Sequence, residues 1–243
     1  MGILKRIKSV RARKHPYCTL ILAAAGSSAR MGQDKLLMEL CGEPVLLHTL
    51  RAVGAAMLVD EIIVATREDL LVPVAQLCKQ ADLRKSVKVI RGGDNRTESV
   101  LAAALEADPR SELLAVHDGA RPLVRPEAVD ELIRRGAATH ATAPAVPVTD
   151  TIKIADESGR VTGTPDRSTL FSVQTPQVFQ ASILKAALQS ALNDGASVTD
   201  DCAAVERLGK EIYLTPGDPE NIKITVPLDL TIAEAILQRR AQE

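Results

Sequence analysis

The 243-residue chain contains no tryptophan, two tyrosines and two phenylalanines, and it carries almost no net charge. So few aromatic rings leave no stacking platform for the bases of a single-stranded nucleic acid. The near balance of 30 basic and 31 acidic residues gives no general attraction to nucleic acid or to an acidic membrane. No apolar run approaches the roughly 18 residues that a membrane-spanning helix requires. We therefore expect no nucleic-acid partner and no membrane association.

Cysteine is also scarce, and its four copies show no paired spacing. Cys18, Cys41, Cys78 and Cys202 lie far apart and form no CxxC motif. This spacing argues against a zinc site and against a disulfide framework. The pattern predicts reduced thiols, mostly in the core, and a cytoplasmic protein.

Apolar runs that suit strands buried on both faces alternate with helical patterns over the first half of the chain. The predicted strands are residues 19–22, 61–66, 87–90 and 113–116, and the predicted helices are residues 44–58, 69–83 and 97–107. This alternation predicts an α/β fold, doubly wound around a mostly parallel, Rossmann-like sheet. Ligands bind such sheets at the carboxyl ends of the strands.

The pattern changes after residue 149, where two short alternating segments, 151–154 and 161–164, surround turn residues. They predict a β-hairpin arm over about residues 149–170. Because a two-stranded arm is only marginally stable by itself in water, we expect it to lie against a second copy of the chain. Three more helices, at 180–192, 200–208 and 227–241, and a strand at 212–215 complete the prediction.

The first 16 residues carry six cations and no acid. They lack the apolar core of about 7 to 15 residues that a secretory signal has. A basic amphipathic helix on a membrane surface and a loosely docked terminal tail both fit this pattern, and we predict the tail. Residues 17–243 show no internal linker and are predicted to form one domain.

The chain from 19 to 35 reads TLILAAAGSSARMGQDK and joins a predicted buried strand to a run of small residues. Small residues let a ligand approach their backbone N–H groups closely, and Arg30 and Lys35 add positive charge. The P-loop pattern GxxxxGK[ST] and the dinucleotide pattern GxGxxG are both absent. This stretch has two interpretations. It either binds a polyphosphate, or it is a turn of small residues with two solvated cations.

Two other loops are predicted to lie at the same edge of the sheet. Asp118 follows the strand at 113–116 and is a candidate ligand for Mg²⁺ shared with phosphate, or else a helix cap or a partner for Arg121. His117 is predicted to be structural, because no second histidine stands at metal-ligand spacing. The turn at 92–94 precedes a helix that Asp94 or Asn95 is expected to cap, and it offers polar groups to a nucleobase.

Eight motifs in order extend these patterns along the chain. They are AAAGSSARMG, GGDNRTES, VHDGARP, PVTDTIK, the Asp166–Arg167 pair, QTPQVF, TDD and NIKIT. In this order they resemble the 2-C-methyl-D-erythritol 4-phosphate cytidylyltransferase family of isoprenoid precursor synthesis, over nearly the whole chain apart from the basic tail.

The resemblance implies transfer of a cytidylyl group from CTP to methylerythritol phosphate, with Mg²⁺ as cofactor. It implies catalytic cations at Arg30, Lys35 and Lys223, and a metal ligand at Asp118. It implies nucleotide contacts at Ala24, Ala25, Gly26, Ser27, Ser28, Gly93, Asp94 and Ser99. It implies contacts to the sugar phosphate at Arg121, Thr151, Arg167 and Thr175. It also implies a homodimer in which the arm of one copy completes the site of the other.

Two positions depart from the family's usual pattern. The family commonly has Pro-Lys-Gln where this chain has Asp34, Lys35 and Leu36, and it often has alanine where Gly119 stands. The nearest alternative activity is the same transfer to ribitol 5-phosphate. A more distant alternative is a nucleotide-binding scaffold without catalysis.

Overall fold

The structure is a computed structural model that describes residues 15–26 and 34–242. Its strands in this part of the chain are β1 (Cys18–Ala24), β2 (Glu39–Leu40), β3 (Glu43–Pro44), β4 (Glu61–Thr66), β5 (Ser86–Arg91), β6 (Leu113–Asp118), β7 (Ala141–Pro147), β8 (Ile154–Ala155), β9 (Val161–Gly163), β10 (Phe171–Val173), β11 (Gln177–Gln180) and β12 (Tyr213–Pro216). Its α-helices are α1 (Val45–Ala55), α2 (Leu71–Gln80), α3 (Arg96–Leu105), α4 (Pro126–Thr139), α5 (Ala181–Asn193), α6 (Asp201–Arg207) and α7 (Pro227–Arg240).

The central sheet is mostly parallel. Strand β1 lies between β6 and β4, β5 follows β4, and all these pairs are parallel. Strand β11 runs antiparallel to β6 and to the start of β7, and β10 runs antiparallel to the end of β7. Strand β12 pairs with β7 in parallel. The predicted α/β class with a mostly parallel sheet is confirmed.

Helices cover both faces of this sheet, as predicted for a doubly wound fold. Leu20 and Leu22 of β1 pack with residues of α1, α2 and α4, whereas Ile21 packs with α3, α5 and α6. Because both faces of β1 are buried, its sequence shows no polar alternation. The carboxyl ends of β1, β4, β5 and β6 meet at one edge of the sheet, where ligands of such folds bind.

Several predicted bounds need correction. Strand β4 has the predicted limits, but the helix predicted at 69–83 is a 3₁₀ turn, Glu68–Leu70, followed by α2. Helix α4 and strand β7 are absent from the sequence prediction. Pro144 and Pro147 explain the second omission, since proline in a strand pattern argues against a central strand. Among the cysteines, Cys41 is exposed rather than in the core.

Strands β8 and β9 form a hairpin in the predicted region as a separate two-stranded sheet, but its first strand is residues 154–155 rather than 151–154. The hairpin lies between β7 and β10 in the chain, and its apolar side chains Ile154 and Val161 are 55% and 54% exposed. The basic tail lies outside the described residues except for its last two positions. Within residues 15–26 and 34–242, no helix has both the length and the hydropathy needed to cross a membrane.

Candidate active site

A cavity of about 500 Å³ opens at the carboxyl edge of the sheet. Its walls come from the ends of β1, β4, β5 and β6 and from the segment before α7. The lining includes the predicted residues Ala24, Ala25, Gly26, Lys35, Gly93, Asp94, Ser99, Asp118 and Lys223. Ser27, Ser28 and Arg30 lie outside the described residues. The structure thus brings together, around one space, the predicted nucleotide, metal and catalytic residues that it describes.

The end of β1 is held by both neighbouring strands. Thr66 at the end of β4 donates its hydroxyl to the Ala24 carbonyl at 3.1 Å, and the Gly119 amide donates to the Ala23 carbonyl at 3.0 Å. A Cβ placed on Gly26 would have no atom of the described residues within 4 Å. Relative to those residues, Gly26 is open, while the end of β1 that precedes it is fixed.

The turn between β5 and α3 is tightly packed. Asn95 caps α3 by accepting the Glu98 amide, so the second of the two predicted caps is the correct one. The Ser99 hydroxyl accepts the Gly93 amide at 3.1 Å and donates to the Asn95 carbonyl at 2.8 Å. A Cβ on Gly92 would stand 2.6 Å from this hydroxyl oxygen. Only glycine therefore lets the turn lie so close to Ser99.

Asp118 ends β6 and is almost fully buried, with three cations around its carboxylate. Its Oδ2 lies 3.0 Å from Lys223 Nζ and 3.2 Å from Arg121 Nε, and its Oδ1 lies 3.9 Å from Arg96 Nε. Burial opposes ionisation, but the charges of Lys223, Arg96 and Arg121 outweigh it and hold the pKa of Asp118 below its usual range. The carboxylate is ionised at neutral pH and orients the cations.

His117 is fully buried behind Asp118, and both of its ring nitrogens are engaged. Nε2 lies 3.2 Å from the Arg121 carbonyl, which can only accept, so Nε2 carries the proton. Nδ1 then accepts the Thr175 hydroxyl at 2.9 Å, and the same hydroxyl oxygen accepts the Asp118 amide at 3.0 Å. Burial lowers the pKa of His117 to about 4. The prediction of a structural histidine is confirmed.

Arg121 and Thr175, predicted to contact the sugar phosphate, are part of this same buried network. Arg121 donates to the Asn221 carbonyl at 2.7 Å, and the Asn221 side chain donates to the Thr175 carbonyl at 2.9 Å. These bonds tie the segment that carries Lys223 to the end of β6. Both residues therefore lie beside Asp118 with polar groups already engaged within the protein.

Thr151 and Arg167 lie elsewhere, on the exposed arm. Arg167 donates to the Thr149 carbonyl at 2.8 Å, and neither residue lines the cavity that the described part of this chain forms. The structure does not bring these two predicted substrate residues to the site of their own chain.

The donor set around Asp118 bears on the predicted metal. Among the described residues, no three histidine, cysteine or acidic side chains converge on a metal-sized site. Mg²⁺ is commonly held by one or two carboxylates together with substrate phosphates and water. Asp118 lines the cavity, and its Oδ1 has Arg96 Nε at 3.9 Å, beyond hydrogen-bond distance. These residues fit a magnesium ion that arrives with a nucleotide.

The sequence prediction missed two arginines in the cavity wall. Arg96 pairs with buried Asp201 of the TDD motif at 2.7 Å, and Arg67 follows β4 directly. The strand order could have identified Arg67 as a cavity residue, because the end of β4 lies beside the end of β1. No local pattern pairs Arg96 with a carboxylate about a hundred residues away.

Comparisons with known proteins agree with this geometry. A sequence profile of the family described as 2-C-methyl-D-erythritol 4-phosphate cytidylyltransferase matches residues 18–239. A protein of that name from Parasynechococcus marenigrum is 43% identical over 226 residues, which cover 92% of this chain and 99% of the relative. One from Caldanaerobacter subterraneus is 39% identical over 226 residues, covering 90% and 98%.

Solved structures show the same relationship. The crystal structure of 4-diphosphocytidyl-2C-methyl-D-erythritol synthase from Anaerococcus prevotii matches with a TM-score of 0.83 at 30% identity, covering 92% of this chain and 99% of that one. The 2-C-methyl-D-erythritol 4-phosphate cytidylyltransferase of Thermus thermophilus matches with a TM-score of 0.72 at 29% identity, covering 90% and 98%. Family profile, relatives and fold agree, and this chain belongs to the 2-C-methyl-D-erythritol 4-phosphate cytidylyltransferase family.

Proposed function

We propose that this protein transfers the cytidylyl group of CTP to 2-C-methyl-D-erythritol 4-phosphate, giving 4-diphosphocytidyl-2-C-methyl-D-erythritol and pyrophosphate in isoprenoid precursor synthesis. One observation carries the proposal. The predicted nucleotide and cation residues that the structure describes line a single cavity, in a chain that belongs to this family over most of its length.

The reaction requires alignment of the two substrates and neutralisation of their negative charge more than it requires a general base. A phosphate monoester has a second pKa of about 6, so the acceptor phosphate is largely a dianion at neutral pH and attacks without losing a proton. Its oxygen forms a bond to the α-phosphorus of CTP as the bond from that phosphorus to the bridging oxygen breaks. The electron pair leaves with pyrophosphate, and cations must stabilise the charge that develops.

Lys223 is the cation whose place the structure explains best. Its ammonium group lines the cavity and is held at 3.0 Å by the buried carboxylate of Asp118. Lys35, which follows β1 in the chain, lines the same cavity. With Arg30, we assign these groups to the triphosphate and to the transferring phosphorus, where fixed charges lower the barrier without reorganising.

The backbone beyond β1, together with Gly93, Asp94 and Ser99, is assigned to the nucleotide. Asp118 would hold Mg²⁺ through its Oδ1 together with phosphate oxygens. A bound magnesium ion would supply charge neutralisation on those oxygens. Without it, Asp118 still fixes Lys223 and Arg121 by charge.

We further propose a homodimer in which the arm reaches the site of the partner. Thr151 and Arg167 lie on the arm and line no part of the cavity built by the described residues of their own chain. The arm also exposes Ile154 and Val161, which a second copy would cover. The acceptor phosphate would then be bound by Arg121 on one side and by the arm of the partner on the other, with Thr175, whose hydroxyl already donates to His117, holding the site behind them.

We assign the enzyme to the cytoplasm, where unpaired thiols such as buried Cys18 and Cys202 stay reduced. We propose CTP and the polyol phosphate as its small-molecule partners, with no role for nucleic acid or for a membrane.

Pyrophosphate release by the purified protein tests the proposal. With CTP and Mg²⁺, we expect turnover with methylerythritol 4-phosphate and little with ribitol 5-phosphate at the same concentration. Preference for ribitol 5-phosphate would identify the protein as a ribitol 5-phosphate cytidylyltransferase instead. Nucleotide binding without pyrophosphate release from either acceptor would identify a scaffold.

A further inference from the structure

Arg67 connects the two ends of the segment that the sequence assigns to the triphosphate. Its Nη1 donates to the carbonyl oxygen of Gly26 at 2.9 Å, and its Nη2 lies 2.8 Å from Oδ2 of Asp34. The second contact is an ion pair whose alignment is not that of a hydrogen bond. Gly26 precedes residues 27–33 and Asp34 follows them. One guanidinium group therefore contacts the chain both immediately before and immediately after those residues.

Asp69 fixes the direction of this guanidinium. It accepts Nε of Arg67 through one oxygen and Nη2 through the other, each at 3.1 Å. A two-point contact of this kind holds the planar guanidinium in one orientation. The side chain of Asp34 is only 12% exposed and that of Arg67 30% exposed, so water screens their attraction less than on an open surface.

Asp34 also organises the turn that bears Lys35. Its Oδ1 accepts the amide of Leu36 at 3.0 Å, and its carbonyl accepts the amide of Leu37 at 3.0 Å. The same carboxylate therefore binds Arg67 through one oxygen and shapes the Lys35 turn through the other.

We infer that Arg67 is a positioning residue for CTP: by holding Gly26 and Asp34 together, it sets the place of the β1 backbone relative to Lys35. The inference deepens the proposed function, because it rests on the assignment of Gly26 to the nucleotide and of Lys35 to the triphosphate. It gives Arg67 a role through Asp34 rather than through contact with the nucleotide.

A double-mutant cycle separates positioning from direct contact. Arg67→Ala removes the guanidinium, and Asp34→Asn removes the charge while keeping an oxygen for the Leu36 amide. We expect each variant to raise both the Kd and the KM for CTP by roughly tenfold, and the double variant to be no weaker than either, as for residues acting through one contact. The KM for methylerythritol 4-phosphate and the melting temperature should stay close to the wild-type values.

Two further variants serve as controls. Arg110 makes a comparable two-point contact with Asp108 just before β6, at the amino-terminal ends of the strands and away from the cavity. Arg110→Ala should therefore leave CTP binding unchanged. Arg67→Lys keeps a charge but cannot form the fork, and it should restore little of the lost affinity.

The outcomes are distinct. Wild-type CTP affinity in Asp34→Asn, or losses that multiply in the double variant, would overturn the positioning role. Full rescue by Arg67→Lys would also overturn it, because charge would then suffice. Failure of the wild-type protein itself to bind CTP by calorimetry would refute the proposed function, and the inference with it.

Discussion

The cavity and the arm are built in opposite ways. Around the cavity, bonds join residues far apart in sequence: Thr175 binds His117 across 58 positions, and Arg121 binds Asn221 across 100. On the arm, Lys153 binds Thr164 across 11 positions and Asp156 binds Ser158 across two. The fold of this chain therefore holds the cavity in place, whereas the arm holds only its own shape.

Burial follows the same division. The side chain of Asp118 is 9% exposed between its cations, whereas Arg160 and Ile154 on the arm are largely in water. Fixed charges in a buried site are worth more than the same charges in water, so the cavity suits stabilisation of a transition state. An exposed arm suits contact with another molecule. The comparison predicts that cavity variants impair the chemistry of their own subunit and that arm variants impair the subunit opposite.

The largest expected effect is on the cavity side. Lys223→Ala removes a fixed cation that we assign to the transferring phosphorus, and we expect kcat to fall by about 100-fold, as when one preorganised donor is lost. Steady-state pyrophosphate release measures it, with Lys210→Ala as the control, because Lys210 is an exposed lysine between α6 and β12. A kcat near the wild-type value would remove Lys223 from the chemistry.

The next effect concerns stability and the network behind Asp118. Because burial lowers the pKa of His117 to about 4, the unfolded chain binds a proton at higher pH than the folded protein does. Stability should therefore fall as pH drops below about 6.5, by about 2 kcal/mol in the free energy of unfolding between pH 6.5 and pH 5.

Urea unfolding at pH 7.5, 6.5 and 5.0 measures this loss. His117→Gln has no imidazole to protonate, so its stability, lower at every pH, should lose this part of the pH dependence. The ordinary pKa of Asp118 already lies below this window, so its titration does not enter it. An unchanged pH profile in the variant would show that other groups cause the acid sensitivity.

The sequence predicted the parts of this fold that depend on local pattern. Strand β4 was predicted with its observed limits because its whole length is buried and its four central residues are apolar, and the three loops were placed at one edge by alternation. Strand β7 was missed because its prolines contradict strand propensity, although pairing with β10, β11 and β12 fixes it. Here tertiary pairing outweighs the local signal.

The candidate site was likewise predicted only in part. Motifs identified Asp118 and Lys223 separately, but no pattern states that they lie 3.0 Å apart. The fork that Arg67 makes with Asp69 is local, whereas its contacts to Gly26 and Asp34 arise because β4 lies beside β1. The sequence identifies which residues belong to the site, but their contacts can be predicted only when the order of strands in the sheet is known.

On the arm, Arg167→Ala should act on the acceptor and leave the nucleotide alone. Loss of a charged contact to phosphate should raise the KM for methylerythritol 4-phosphate about tenfold, with the KM for CTP unchanged. Arg160→Ala is the matched control, since Arg160 is an arm arginine that pairs with Asp156. An effect confined to CTP would contradict the assignment of Arg167.

Mixed dimers sharpen the same comparison. When Arg167→Ala and Lys223→Ala subunits are dissociated, mixed and reassociated, half of the dimers are mixed. If the arm serves the partner, each mixed dimer has one site with both residues intact. At methylerythritol 4-phosphate concentrations well below the wild-type KM, where both parent variants are weakly active, these sites should contribute about a quarter of wild-type activity. If the arm served its own subunit, no site would carry both residues and activity would stay at the mean of the two parents.

The smallest expected effect tests whether phosphate lies against the backbone beyond β1. A methyl group on Gly26 meets no atom of residues 15–26 and 34–242 within 4 Å, whereas one on Gly92 meets the Ser99 hydroxyl at 2.6 Å. Gly92→Ala should therefore lower both the melting temperature and CTP affinity. Gly26→Ala should leave the melting temperature unchanged and weaken CTP about fivefold, because the added methyl fills space that close approach of a phosphate requires. Unchanged CTP affinity in Gly26→Ala would mean that the phosphates bind along another wall of the cavity, nearer to Lys223.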